Sequence, residues 1–233
     1  MSAGSLRARV RTEMIEEIKA TARTRLATDG ANLSLRGVAR DLGIVASALY
    51  RYFPSRDDLL TALILDGYRA LGAAAGAARA AAPANDERAQ WLSVCTAVRD
   101  WAIANPTEYG LLYGSPIPGY DAPKDTVAPA ATVVLLLADI AAQAAAADRL
   151  TPAALPTPLP APVRADLRAL IDQQSSDLPE EVLDRVFLGW TQLFGLVTFE
   201  IFGRLDGTIE AVADYFHHHM NLMADLVGLP AAD

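Results

Sequence analysis

From Ser34 to Leu60 the chain reads SLRGVARDLGIVASALYRYFPSRDDLL, and the polar side chains in its middle are mostly hydrogen-bond donors. Ser47, Tyr50, Arg51 and Tyr52 offer hydroxyls and a guanidinium fork, groups that suit phosphate oxygens and the acceptor edges of bases in a major groove. Val45 and Ala46, just before them, are small enough for the backbone to come close to a groove. No His/Asp/Ser constellation, glycine-rich phosphate loop or clustered carboxylate motif occurs in the chain. The residue types therefore favour recognition of an anion over bond making.

Such donors work only if short helices hold them on one outward face. From Arg7 to Thr28, Val10, Met14, Ile18, Ala22 and Leu26 recur at every fourth position, one stripe of an amphipathic helix that Asp29 and Gly30 end. Ser34 stands as the N-cap of a second helix carrying Leu35, Val38, Ala39 and Leu42, and Gly43 stops it. A third short helix is expected from Ala46 to Tyr52, because Leu49 and Phe53 are four apart and Pro54 forbids smooth continuation. Ser55 caps a fourth, longer helix, with Asp57 and Asp58 in its first turn, where the helix dipole favours negative charge. Its Leu59, Leu60, Leu63 and Ile64 face inward. The second and third helices, joined at Gly43-Ile44-Val45, make a helix-turn-helix with Val38, Leu42, Ile44, Leu49 and Phe53 as its shared core.

The total charge of −8 argues against a nucleic-acid partner until it is divided along the chain. Residues 1–60 hold ten basic and seven acidic side chains, a surplus of +3, so the remainder carries −11. A basic head on an acidic body suits an anionic partner at one end only. With 52% hydrophobic and 21% charged residues the chain is of globular composition. Its single cysteine, Cys95, reads as a small buried apolar residue and fits a reducing, cytoplasmic setting. The N-terminal arginines are followed by no apolar stretch of the secretory kind. The longest apolar run, Val127 to Ala147, is interrupted by Pro129, Asp139 and Gln143 and reads as a buried helix, not a membrane span.

The helix-turn-helix segment resembles the DNA-binding domain of TetR-family transcriptional regulators. The likeness lies in the Gly-Ile turn, the Leu-Tyr-x-x-Phe recognition helix and the Ser-Arg-x-x-Leu-Leu that opens the next helix. By position it implies that Arg36, Ala46, Ser47, Ala48 and Tyr50 face base edges, and that Ser34, Arg51, Tyr52 and Arg56 face phosphates. Three residues depart from the family's usual pattern. Val45 stands where a capping Ser or Thr is common, Tyr52 where a histidine is frequent, and Arg56 where a lysine is frequent.

Beyond about residue 85, an Asn-Pro-x-x-Tyr segment at Asn105–Tyr109 and a Trp-x-x-x-Phe-Gly helix at Trp190–Gly195 resemble the C-terminal domain of the WHG-type TetR subfamily. Helices are expected at 86–104, 106–113, 124–148, 162–174, 180–205 and 208–227, with an extended proline-rich loop over 151–162. The expected fold is therefore all-α. A helix-turn-helix domain spans 1–55, a connecting helix 56–84, and a larger ligand-binding and dimerisation domain 85–233. The family likeness implies a homodimer built from the helices near 180–205 and 208–227. The first of these carries Val186, Phe187, Trp190, Phe194, Val197, Ile201 and Leu205 on several sides and so needs two partners. Gly189, Gly195 and Gly203 would let another helix come close. Trp91, Cys95, Trp101, Tyr109, Tyr113, Trp190 and Phe194, with Thr191 and Thr198 as polar points, are the candidate pocket for a small apolar or aromatic effector. No metal or cofactor is expected, because three consecutive histidines, His217 to His219, point about 100° apart on a helix. One of them should turn inward and two outward. The implied function is a ligand-responsive regulator, released as a repressor from a pseudo-palindromic operator. A transcriptional activator of the same fold, a helical enzyme and a helical protein adaptor are the alternatives.

Overall fold

The computed structural model describes residues 3–29, 33–151, 157–174 and 177–230. Helices in chain order are α1 (Ala3–Asp29), α2 (Leu35–Asp41), α3 (Ala46–Leu49), α4 (Arg56–Ala81), α5 (Glu87–Ala104), α6 (Pro106–Tyr113), α7 (Val127–Ala130), α8 (Thr132–Ala146), α9 (Ala161–Gln174), α10 (Glu180–Ile201) and α11 (Val212–Val227). No strand occurs among the described residues. The all-α expectation holds, and the chain divides into two compact units. One comprises residues 1–69 with 105–129, the other 70–104 with 130–233.

In the first unit the apolar stripe of α1 is buried only in its later half. Ile18, Ala22 and Leu26 are in the core, whereas Val10 is half exposed. They pack with Leu33, Leu35, Val38, Leu49, Phe53, Leu59 and Leu60 into one cluster, against which Leu42 and Ile44 are partly buried. Lys19 is pulled into this unit by ion pairs of 2.7 Å to both Glu16 and Asp66. Burial works against its charge, but the hydrogen bonds to the two carboxylates outweigh it and raise its pKa above the usual lysine value. Arg23 donates to the same Asp66 carboxylate at 2.9 Å, so α1 is tied to α4 by two cations. Residues 105–129, assigned by sequence to the body, belong here. Tyr109 of α6 is fully buried, and Tyr113 meets Tyr68 of α4 edge to face at 6.0 Å. Burial drives the Tyr113 phenol above the usual tyrosine range. The Tyr120 and Thr61 hydroxyls share a hydrogen bond of 3.0 Å.

In the second unit α5, α8, α10 and α11 pack on one another through Trp91, Val94, Val98, Leu137, Ile140, Val186, Val197 and Met220. Ion pairs fasten the ends of these helices. Glu87 is wholly buried and paired with Arg149, Arg88 holds Asp225 and donates to the Pro230 carbonyl at 2.7 Å, and Arg99 forms a two-bond pair with Glu200. The segment expected as one helix over 124–148 is divided at Ala131, two residues after Pro129. The helix expected to reach residue 205 ends at Ile201, because Gly203 takes φ +65°, a left-handed conformation that closes a helix instead of continuing it. Leu205 therefore lies in the turn between α10 and α11. By length and composition α10 is apolar enough to cross a membrane, and part of its apolar surface is buried against α5, α8, α9 and α11. Gly30 and residues 152–156 of the proline-rich loop lie outside the described residues.

Candidate nucleic-acid interface and ligand residues

Three local devices set the helix-turn-helix. The Ser34 hydroxyl accepts from the Gly37 amide at 3.1 Å, the N-cap that the sequence implied. Gly43 takes φ +67°, a value ordinary residues rarely reach, and this turns α2 away from α3. At the start of α4 the Ser55 hydroxyl accepts from the Asp58 amide at 3.1 Å while the Asp58 carboxylate accepts from the Ser55 amide at 2.9 Å, a reciprocal cap. Val45, in contrast, precedes α3 with no side-chain cap. Only Ala46 to Leu49 is α-helical, and the expected stretch to Tyr52 tightens into a turn in which Arg51 N–H donates to Ala48 and Tyr52 N–H to Leu49.

A clamp between α1 and α2 holds this arrangement. Arg25 donates to both carboxylate oxygens of Asp41, at 2.5 and 3.3 Å. That bond holds the Asp41 carboxyl below its ordinary pKa. Sixteen residues separate the pair, so no local spacing rule could have found it.

The sequence-predicted contact residues fall into two groups. Arg36, Val45, Ser47, Tyr50 and Arg51 are exposed, with Ala46 and Ala48 half-buried between them. Arg36 and Arg51 make no ion pair among the described residues, and each keeps its guanidinium outward. Ser34, Tyr52 and Arg56 are partly engaged within the unit. The Ser34 hydroxyl is the cap described above, and Arg56 Nε donates to the Leu33 carbonyl at 3.0 Å. Tyr52 lies under the Arg11 guanidinium, 5.2 Å from its ring centroid. That contact brings the exposed arginines of early α1 to the edge of the helix-turn-helix, a neighbour that only the basic surplus of the head hinted at.

The polar face so assembled has the residue types and exposure of a groove-reading surface, and comparison with known proteins decides its kinship. Residues 18–63 match the family described as bacterial regulatory proteins, tetR family. Residues 91–223 match the tetracyclin repressor-like C-terminal domain. The chain belongs to the TetR family. Its relatives include the HTH-type transcriptional regulators Rv1816 of Mycobacterium tuberculosis and Mb1846 of Mycobacterium bovis, each 38% identical over 75% of this chain and 74% of theirs. The crystal structure of the regulatory protein SCO4313 superposes with a TM-score of 0.76 at 30% identity, covering 94% of this chain and 98% of that one. A Rhodococcus sp. RHA1 protein of unknown function shares the fold, with a TM-score of 0.66 at 23% identity over 93% of this chain and 95% of its own. This TetR-family protein is a DNA-binding transcriptional regulator.

The predicted effector residues are spread differently from their sequence grouping. Tyr109 and Tyr113 lie in the first unit, packed on each other at 5.0 Å. In the second unit Trp91 and Cys95 have no exposure, and burial raises the Cys95 thiol far above its usual pKa, which keeps it protonated and unreactive. Trp190 is half-buried between Phe187 and Phe194, and Trp101 and Thr198 are likewise half-buried. The exposed Thr191 hydroxyl donates to the Leu188 carbonyl at 2.9 Å. An open cavity of about 510 Å³ in this unit is walled by other residues, among them Ala78, Ala82, Ser93, Thr96, Asp100 and His217. The histidine run places no ring in the core. His217 and His218 are exposed, and half-buried His219 rests on Tyr215 at 4.4 Å.

Proposed function

We infer that this regulator works as a cytoplasmic homodimer that represses from a pseudo-palindromic operator and is released by a small, largely apolar effector bound in the helical body. The observation that carries the reading is an exposed apolar stripe on α10 and α11. Leu188, Phe199, Phe202 and Leu222 are 41 to 48% exposed, with Thr191 and Gly195 between them on the same side of α10. A row of this kind is removed from water when a second copy covers it, and a two-fold pair then presents two heads to successive major grooves. An effector that binds one spacing of the heads better than the other shifts the population and releases the DNA. The buried, unreactive Cys95 is consistent with a reducing compartment.

Gel shifts on the DNA upstream of its own gene test this reading. Binding to an inverted repeat should fall steeply with salt. Arg51→Ala should weaken all sequences alike and reduce the salt slope by about 1, whereas Arg36→Ala should cost about 1–3 kcal/mol at its own base pair and relax preference there. Failure to shift any candidate operator at low salt overturns the proposal. Enhanced transcription of the bound promoter would assign activation in place of repression.

A further inference from the structure

Five charged side chains are buried among the described residues: Lys19, Glu87, Arg88, Glu180 and Arg185. Four have partners of opposite charge. Lys19 pairs with Asp66, Glu87 with Arg149, Arg88 with Asp225 and Glu180 with Arg168. Arg185 does not. It is 8% exposed on α10, and its Nε and Nη1 are fully buried without a hydrogen-bond partner. A guanidinium keeps its charge where a lysine can shed it, so its burial without a counter-ion is strongly unfavourable. Such a side chain calls for an anion.

The other unsatisfied buried side-chain atoms are donors too. They are the indole Nε1 atoms of Trp91 and Trp190, so every unsatisfied buried side-chain atom among the described residues is an N–H donor. An acceptor-only group answers such a set. One turn after Arg185, on the same side of α10, stands Gly189, and the Trp91 indole lies where a Cβ on Gly189 would meet it at 2.8 Å. Arg185 and the glycine against which the Trp91 ring packs thus lie on one side of the helix, which is lined otherwise by apolar core.

We propose that Arg185 is the anchor of the effector site and that the effector carries a single carboxylate on an apolar body. This rests on the reading of the chain as an effector-responsive regulator and specifies its ligand class. A carboxylate matches the planar fork with two parallel bonds and cancels the one charge present, whereas a phosphate near −2 would leave a surplus charge in an apolar interior.

The test uses the full-length protein with dodecanoate and naphthoate, the methyl esters of both, and inorganic phosphate. Thermal melting, tryptophan fluorescence and operator release are read in parallel. At least one acid should raise the Tm, change the fluorescence and release operator DNA, while its ester and phosphate do none of these. Arg185→Met should melt no lower than wild type without ligand, still bind operator, and bind the acid about 30-fold or more weakly. Arg185→Lys, which keeps charge but loses the fork, should lie between. Esters acting like acids, no acid acting on wild type, or Arg185→Met responding normally would each overturn the proposal. So would a dimer that dissociates in Arg185→Met, which would assign the charge to the subunit contact. Absence of operator binding by ligand-free wild type would instead sink the regulator reading, leaving melting and fluorescence to judge Arg185.

Discussion

The two units leave opposite things on their surfaces. The head uses Lys19, Arg23, Arg25 and Arg56 to fasten its own helices and turns Arg36 and Arg51 to solvent. The body pairs most of its charges at helix ends and leaves Leu188, Phe199, Phe202 and Leu222 uncovered. An exposed guanidinium is well solvated and costs the fold little. An exposed phenyl forgoes about 25 cal/mol for each Å² left in water. A surface rich in donors therefore waits for a polyanion, and a surface rich in apolar side chains waits for its like. In the proposed dimer the same distinction separates specificity from assembly: the head reads, and the body sets how many heads read together.

Phe199→Glu strikes at that distinction hardest. A charge in the middle of the stripe should convert the protein to a monomer by sedimentation while its helical circular dichroism is retained. Because two linked heads gain from effective concentration, operator affinity should then fall by about 100-fold or more, although no head residue is altered. A variant that stays dimeric, or a monomer that binds operator undiminished, would break the assignment of assembly to the body.

A pair of glycines on α10 sharpens the same point. At Gly189 a Cβ would meet the Trp91 ring at 2.8 and 2.9 Å, so Gly189→Ala should destabilise the body by about 1–3 kcal/mol through overpacking. At Gly195 a Cβ would meet nothing within 4 Å of this chain, and in the Phe199→Glu background Gly195→Ala should stabilise the helix by about 1 kcal/mol. In the dimer the same substitution should weaken association if a partner helix crosses there. Urea melts of both variants, read beside sedimentation, separate packing within the chain from packing between chains.

How far the sequence disclosed these features follows from the range of the forces involved. The caps at Ser34 and Ser55, the turn at Gly43 and the cores of α2 and α4 are local, and spacing alone placed them. The clamp of Arg25 on Asp41 and the pairing of Lys19 with Asp66 join residues 16 and 47 positions apart, and nothing in a single chain selects among so many cations and carboxylates. The aromatic set was read as one pocket because type and helical spacing do not say which unit a helix joins. In the structure α6 carries Tyr109 and Tyr113 into the head, while α5 keeps Trp91 in the core of the body. Arg185 escaped notice for a related reason: its type is ordinary, and only the lack of a partner makes it informative.

The smallest effect concerns pH and sets the head's clamp against the body's. Asp41 is held below its ordinary value of 3.8 chiefly by the hydrogen bond from Arg25. A carboxyl depressed in the folded state contributes stability that is complete above its unfolded value and is lost as pH falls through the folded one. Glu180 and Glu181, held down chiefly by Arg168 and Arg164, behave alike from an ordinary value of 4.5. Lys19 runs the other way, its contribution complete below 10.5 and lost as pH rises beyond it. These four groups therefore give a flat profile between about pH 5 and pH 10, with an acid limb in each unit. Asp41→Asn should lower the Tm slightly at about pH 7 and converge with wild type as pH falls through the depressed pKa of the native carboxyl. The Glu180→Gln variant should show the same convergence, but without altering the salt slope of operator binding. If the Asp41→Asn deficit persisted undiminished into acid, the residue would be holding α2 through shape and not through its bond to Arg25.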